Sequence, residues 1–221
     1  MITLAIDAST YVGDVALIDG TEVLAEESTA MKDANHERLM PAVAALFERT
    51  GKRVADLDRV VCGAGPGSFT SLRIAGGIAK GIVTGANLPL YAVPSMALIV
   101  GGTSLTVGQY LVAVDALRSE FYVGLYHVSA SGEVLEIERA KLVNAADVED
   151  VAIAHHARIV SPTEFPDGVV ASPHARAVAR MAHYIESSGP VDVATWEPAY
   201  GRLAEAQVKW EATHGRPLSV G

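Results

Sequence analysis

Apolar and polar positions fall into blocks whose period changes along the chain. "ITLAID" (residues 2–7) is a short apolar run, the pattern of a buried strand. "DVALID" (Asp14–Asp19), the Asp19–Gly20 turn and "EVLAEES" (Glu22–Ser28) extend it into an antiparallel meander. The period then becomes helical. In "NHERLMPAVAALFERTG", Leu39, Val43, Leu46 and Phe47 share one face, Pro41 belongs near the start, and Gly51 closes the helix. "RVVCGAG" (59–65) predicts a strand, "SLRIAGGIAKGIVTG" a helix ending near Gly85, and "LPLYAV" (88–93) another strand.

The second half opens like the first. "YLVAVDALRSEFYVGLYHVSASGEVLEIE" (110–138) can be laid over residues 2–27: Asp7 precedes Val15 by eight residues, and Asp115 precedes Val123 by eight. "EVL" recurs at Glu22–Leu24 and Glu133–Leu135. The reading is an internal duplication of a three-stranded unit; chance likeness between two apolar hairpins is the plain alternative. "ARIVS" (157–161) and "GVVAS" (168–172) predict strands. "HARAVARMAHYIESSG" predicts a helix with Val178, Met181, Ala182 and Ile185 on one face and Gly189 as its stop. The boundary between halves is expected in "VGGTSLTVG" (100–108).

Composition narrows the function classes. In 221 residues, 50% are hydrophobic, enough for a substantial core. A net charge of −9 argues against unaided nucleic-acid binding, which needs clustered Lys and Arg. The single cysteine, Cys62, excludes an intramolecular disulfide and suits a reducing cytosol. The N-terminus predicts a strand, not a secretion signal, and no apolar run approaches the roughly 18 residues of a membrane span.

The glycine-rich stretch "CGAGPGSFTSLRIAGGIAKG" (62–81) is where chemistry would sit. It lacks the Walker pattern, because Lys80 is followed by Gly81. It lacks the nucleophile elbow, because Pro66 and Thr70 flank Ser68 where glycines are needed. It lacks the dinucleotide fingerprint, because Ser68 stands where the third glycine belongs. Gly65 and Gly67 allow unusual backbone angles, Ser68 or Thr70 can cap the helix, and the free N–H groups there could hold an anion. A tight strand-to-helix turn is the simpler reading. Gly76, Gly77 and Gly81 inside the helix each cost about 1 kcal/mol relative to alanine. Small residues at Ala75, Gly76, Ala79 and Gly81 predict close packing, against either this chain's own sheet or a second protein. The histidines give no metal pattern: no H-E-x-x-H occurs, His155 and His156 are adjacent, and His36 is followed four residues later by Met40.

Together, "LAIDASTYVGDVALIDG", "NHERLMP", "GAGPGSFTSLRIAGGIAKG", "VDALRSEFYVGLY" and "EPAYGRLAEAQVKWE" resemble the bacterial TsaB (YeaZ) family, in order and from the first residues to Glu211. Gly201 departs from the apolar residue usual in the family. The resemblance implies an α/β actin-like fold of the sugar-kinase and Hsp70 type, a duplicated ribonuclease H-like unit with halves at 1–104 and 105–221. It implies a non-catalytic, cytoplasmic scaffold subunit of the tRNA N6-threonylcarbamoyladenosine transferase machinery. The partners implied are the catalytic paralogue TsaD and the ATPase TsaE; tRNA is met only indirectly, and the same apolar patch, left uncovered, could pair two copies of the chain. A separate enzyme makes the threonylcarbamoyl-adenylate donor. An ATPase or sugar-kinase-like enzyme of the same fold, or a glycoprotease-like peptidase, are the alternatives.

The same resemblance assigns residues. Ser95 and Ile99 stand where the catalytic relative carries two metal-binding histidines, so neither metal nor cofactor is expected here. Asp7, Ser9 and Thr10, with Gly65, Gly67 and Ser68, resemble a phosphate loop, read as a vestige. The partner surface is expected on two helices, near 36–49 and 70–84, through His36, Leu39, Met40, Val43, Arg73, Gly76, Ala79 and Lys80.

Overall fold

A computed structural model describes residues 1–31, 38–200 and 213. Two five-stranded mixed sheets carry the fold. In the first, β1 (Ile2–Asp7), β2 (Val12–Asp19), β3 (Glu22–Ala30), β4 (Arg59–Gly63) and β5 (Leu90–Val93) lie in the order β3-β2-β1-β4-β5. In the second, β6 (Gly108–Asp115), β7 (Glu120–Val128), β8 (Val134–Asn144), β9 (Arg158–Ser161) and β10 (Val169–Val170) lie in the order β8-β7-β6-β9-β10. The two orders match strand for strand. Each begins with an antiparallel meander and adds two parallel strands beside its first strand. The spacing shared by the two hairpin runs therefore reflects a shared topology.

Burial explains the layering. Helix α1 (Leu39–Thr50) and helix α2 (Phe69–Ala86) cover one face of the first sheet; Ile2, Leu4 and Ile6 of β1 point to them. Ala5, Ala16 and Val61 point the other way, into a core shared with the second sheet. Helix α3 (Ser95–Gly102), a 3₁₀ segment (Ala175–Arg180) and helix α5 (Ala182–Ser188) fill that middle layer. Helix α4 (Val148–Ala154) covers the outer face of the second sheet.

Several elements depart from the sequence expectation. Helix α3 shows no amphipathic period, because all eight of its residues are buried between the sheets. A helix wet on no side offers no polar face for periodicity to detect. Helix α2 runs past Gly85 and stops at Asn87, which adopts φ 53° and donates its N–H to the Val83 carbonyl. Strand β8 extends to Asn144, whereas β10 shrinks to two residues. The helix expected over 174–189 is broken into the 3₁₀ segment and α5. Its start is pulled tight by the Ala175 N–H on Asp14 Oδ1 (2.6 Å) and by Arg176 on the Gly102 carbonyl (2.9 Å). Val178, Met181 and Ile185 are buried, but Ala182 is exposed, since the break at Met181 rotates the following turn.

Candidate functional site

Two sites follow from the glycine-rich stretch: the turns that meet Asp7, and the outer face of α2.

Asp7 ends the central strand β1 and is completely buried. Its Oδ1 accepts from the Ser9 N–H (2.9 Å) and the Ser9 hydroxyl (2.8 Å), and its Oδ2 accepts from the Ser95 hydroxyl (2.5 Å). Ser95 Oγ in turn accepts from the Gly65 N–H (2.9 Å). The Ser68 N–H donates to the Ser9 carbonyl (2.7 Å), which draws the turn after β4 onto the turn after β1. Glycine is required for this closeness. A Cβ on Gly63 would sit 1.8 Å from Asp7 Oδ2, and one on Gly67 2.0 Å from the Ser9 carbonyl oxygen. Burial raises the Asp7 carboxyl above the ordinary aspartate range, with the Ser95 hydrogen bond the main opposing effect. Burial, helped by Asp7, likewise pushes the Cys62 thiol far up, so it is no thiolate nucleophile.

Asp7, Ser9, Gly65, Gly67 and Ser68 are thus brought together, with Thr10 on the rim, but they bind one another. Both carboxylate oxygens are committed within the chain, and Ser95 serves as a link between turns. Ile99 is buried at 1% exposure. Among the described residues, no cluster of three or more His, Cys, Asp and Glu could hold a metal. A cleft of about 550 Å³ opens outward from this knot, between the β1–β2 and β6–β7 turns, lined by Thr10, Ser68, Thr70, Arg118 and Tyr122.

The outer face of α2 is different. Gly77, Gly81 and Gly85 repeat every four residues, and a Cβ at any of them would meet no described atom within 4 Å. Beside this stripe runs a shallow apolar groove of about 410 Å³, lined by Met40, Val54, Ile78, Ile82 and Ala86. Met40 is 44% exposed and Val54 39%, while Ile78 and Ile82 are half-buried.

The residues expected at a partner surface divide. Met40 and Arg73 are exposed, and Lys80 is partly so. Leu39, Val43 and Ala79 are fully buried in this chain's own core, because the apolar stripes of both helices turn inward to β1 and β4. Their side chains are covered in the chain by itself. Gly76 is buried too, with its absent Cβ 3.3 Å from Pro198 Cγ and 3.6 Å from Trp196. His36 and Gly201 lie outside the described residues. Sequence reasoning missed Val54, Ile82 and Gly85; the fourfold spacing of the three open glycines was the signal that could have found the stripe. It also missed the segment 190–200, which returns across α2. That segment is pinned by the Val191 N–H on the Leu90 carbonyl (2.8 Å) and the Ala199 N–H on the Ala64 carbonyl (2.7 Å).

Two open mixed sheets of one topology, packed on a shared middle layer and flanked by helices, define an actin-, Hsp70- and sugar-kinase-like fold. The profile of the TsaD family, described as tRNA N6-adenosine threonylcarbamoyltransferase, matches residues 22–167. A Bacillus subtilis protein, tRNA threonylcarbamoyladenosine biosynthesis protein TsaB, is 29% identical over 224 residues, covering 95% of this chain and 98% of that protein. The Escherichia coli protein of the same name is 33% identical over 131 residues, 58% of this chain and 56% of that one. A Pseudomonas aeruginosa crystal structure, of an uncharacterized protein with similarity to peptidase YeaZ, superposes with a TM-score of 0.76 at 26% identity, covering 91% and 99% of the two chains. The chain belongs to the TsaD family and, within it, to the bacterial TsaB (YeaZ) family, a subunit of tRNA threonylcarbamoyladenosine biosynthesis. Among the described residues, no helix is long and apolar enough to cross a membrane.

Proposed function

We propose that the chain is a non-catalytic scaffold subunit of the tRNA N6-threonylcarbamoyladenosine transferase assembly. In this reading it docks and activates a TsaD-like catalytic partner, works with the ATPase TsaE in the cytoplasm, and meets tRNA only through its partners. The observation that carries it is the open stripe Gly77–Gly81–Gly85 beside the apolar groove. Three glycines within one helix cost about 3 kcal/mol in total relative to alanine, and no described part of this chain needs them small. A partner backbone pressed against α2 would. Without the partner, the same groove would pair two copies of this chain. The knot around Asp7 supports the absence of catalysis, because the loop is closed by its own hydrogen bonds. We read it as a vestigial phosphate loop. We also read the chain as two ribonuclease H-like halves, 1–104 and 105–221, a division supported by the matching strand orders.

The test is reconstitution with the TsaD-like and TsaE-like proteins of the same organism, omitting each in turn. A Cβ at Gly77 meets no described atom within 4 Å, so Gly77→Leu should leave the melting temperature unchanged or higher. It should also abolish co-purification with the partner and lower tRNA modification at least tenfold. A well-folded Gly77→Leu protein that binds and stimulates normally would show that the contact lies elsewhere.

The outward cleft favours a second reading, an ATPase or sugar-kinase-like enzyme. Steady ATP turnover by the purified chain, lost in Asp7→Ala, would establish it; the scaffold reading expects none.

A further inference from the structure

Four strands of the two sheets end on the outward cleft. The turns after β1 and β4 of the first sheet, and after β6 and β9 of the second, line it through Thr10, Ser68, Asp115 and Thr163. The carboxyl ends of strands are where open α/β sheets place ligands. At about 550 Å³ the cleft has the size of a small-molecule site. It lies outside the knot around Asp7, whose carboxylate oxygens are spent within the chain.

Tyr122, on β7, marks this cleft as a built site. It is 7% exposed, and its ring packs in the layer between the sheets. Two other tyrosines buried in that layer donate their hydroxyls within the chain: Tyr110 to the Thr106 carbonyl (2.8 Å) and Tyr126 to Glu136 Oε1 (3.3 Å). The Tyr122 hydroxyl makes no hydrogen bond among the described residues. Glu26 Oε2 is the one side-chain polar atom among them that is sealed from solvent without a partner, so the Tyr122 hydroxyl reaches open space, and the cleft is the space that Tyr122 lines. Burial alone raises its phenol above the ordinary tyrosine range.

Two features add positive potential. Helix α2 meets the cleft at its N-terminus, through Ser68, Phe69 and Thr70. No side chain caps that end: the Ser68 hydroxyl meets the Ser71 hydroxyl (3.0 Å) instead, and the first turn carries no acid. Its N–H groups amount to roughly half a positive charge. Arg118, exposed on the β6–β7 turn, is the one cation of the described lining. Asp115, on the same turn, is the one acid, and its Oδ1 accepts the Leu117 N–H (2.7 Å). This balance suits a single negative charge. A phosphate dianion would bring two charges against Asp115 with one full cation to answer them. Much of the remaining wall is apolar, from Phe69, Val114, Leu117 and Tyr200.

We propose that the cleft binds a small organic carboxylate, received by the α2 N-terminus, Arg118 and the Tyr122 hydroxyl, with its apolar body along Phe69 and Leu117. The ligand is held and not converted, so neither a metal nor the Asp7 carboxylate takes part. Because it touches turns of both sheets, its binding holds those turns together and stabilises the protein. The inference does not rest on the reading that the chain is a scaffold.

The experiment titrates the full-length protein with benzoate, butyrate, inorganic phosphate and ribose 5-phosphate at constant ionic strength, reading calorimetric binding and the melting temperature. The variants are Tyr122→Phe, Arg118→Gln and Asp115→Asn. Tyr122→Phe removes a hydroxyl that bonds nothing in the chain, so without ligand it should melt at the wild-type temperature or higher. At least one carboxylate should bind the wild type saturably, with a Kd of about 1 mM or below, and raise its melting temperature. Tyr122→Phe and Arg118→Gln should each weaken that binding about fivefold or more. The phosphates should bind more weakly than the carboxylates, and Asp115→Asn should narrow the gap. Carboxylate binding that is absent, or unchanged in both Tyr122→Phe and Arg118→Gln, overturns the site. Phosphates that bind the wild type more tightly than the carboxylates overturn the ligand class. A Tyr122→Phe protein that melts lower without ligand shows that the hydroxyl serves the fold, and overturns its role as a ligand contact.

Discussion

The glycines around α2 form two groups. Gly65, Gly67 and Gly76 are closed over by this chain: by the Ala199 carbonyl, the Ser9 carbonyl, and Pro198 with Trp196, respectively. Gly77, Gly81 and Gly85 face open space among the described residues. In sequence the groups look alike, and Gly76 and Gly77 are neighbours. One step of the helix, about 100°, separates a residue under the chain's own returning segment from one facing outward. The first group is small so that the chain can fold onto itself. The second has no such reason within the fold, and that difference points to a partner.

The comparison can be broken most severely at Gly67. Gly67→Ala places a Cβ 2.0 Å from the Ser9 carbonyl oxygen, a backbone atom that cannot swing aside. It should cost about 3 kcal/mol or more and lower the urea midpoint sharply; a loss under about 1 kcal/mol would mean the two turns are not locked together.

Gly76→Leu comes next. Its first atom is already tight against Pro198, so the longer side chain must lift the returning segment from α2. A net loss of about 2 kcal/mol is expected after the gain in helix propensity. Limited proteolysis should cut faster within 190–200. Unchanged protection there would show that the segment does not depend on a small residue at this position.

The smallest effect has the opposite sign. Gly81→Ala should stabilise the free protein by about 1 kcal/mol, because it removes a helix glycine and meets no described neighbour. Thermal melting of the chain alone checks it. Destabilisation would move Gly81 into the closed group.

Most of the local structure was legible. The apolar run of β1, the meander after it, the α1 face through Leu39, Val43 and Leu46, and the paired hairpins needed only period and turn chemistry. The partner surface, expected by resemblance through residues that include Leu39, Val43 and Ala79, had no such support in the periodicity, which marks only the stripe that each helix turns to its own sheet. The chain alone specified that the 62–81 stretch was no Walker loop, elbow or dinucleotide turn, since those chemistries require particular residues at fixed spacing. Tertiary structure decided the rest. Whether Asp7 is open to a ligand depends on Ser95, 88 residues away, donating to its carboxylate. Which glycines of α2 are covered depends on Trp196 and Pro198, more than a hundred residues further along. Such long-range closures leave no periodic mark in a sequence, because they depend on where two distant backbones meet rather than on how neighbouring side chains alternate.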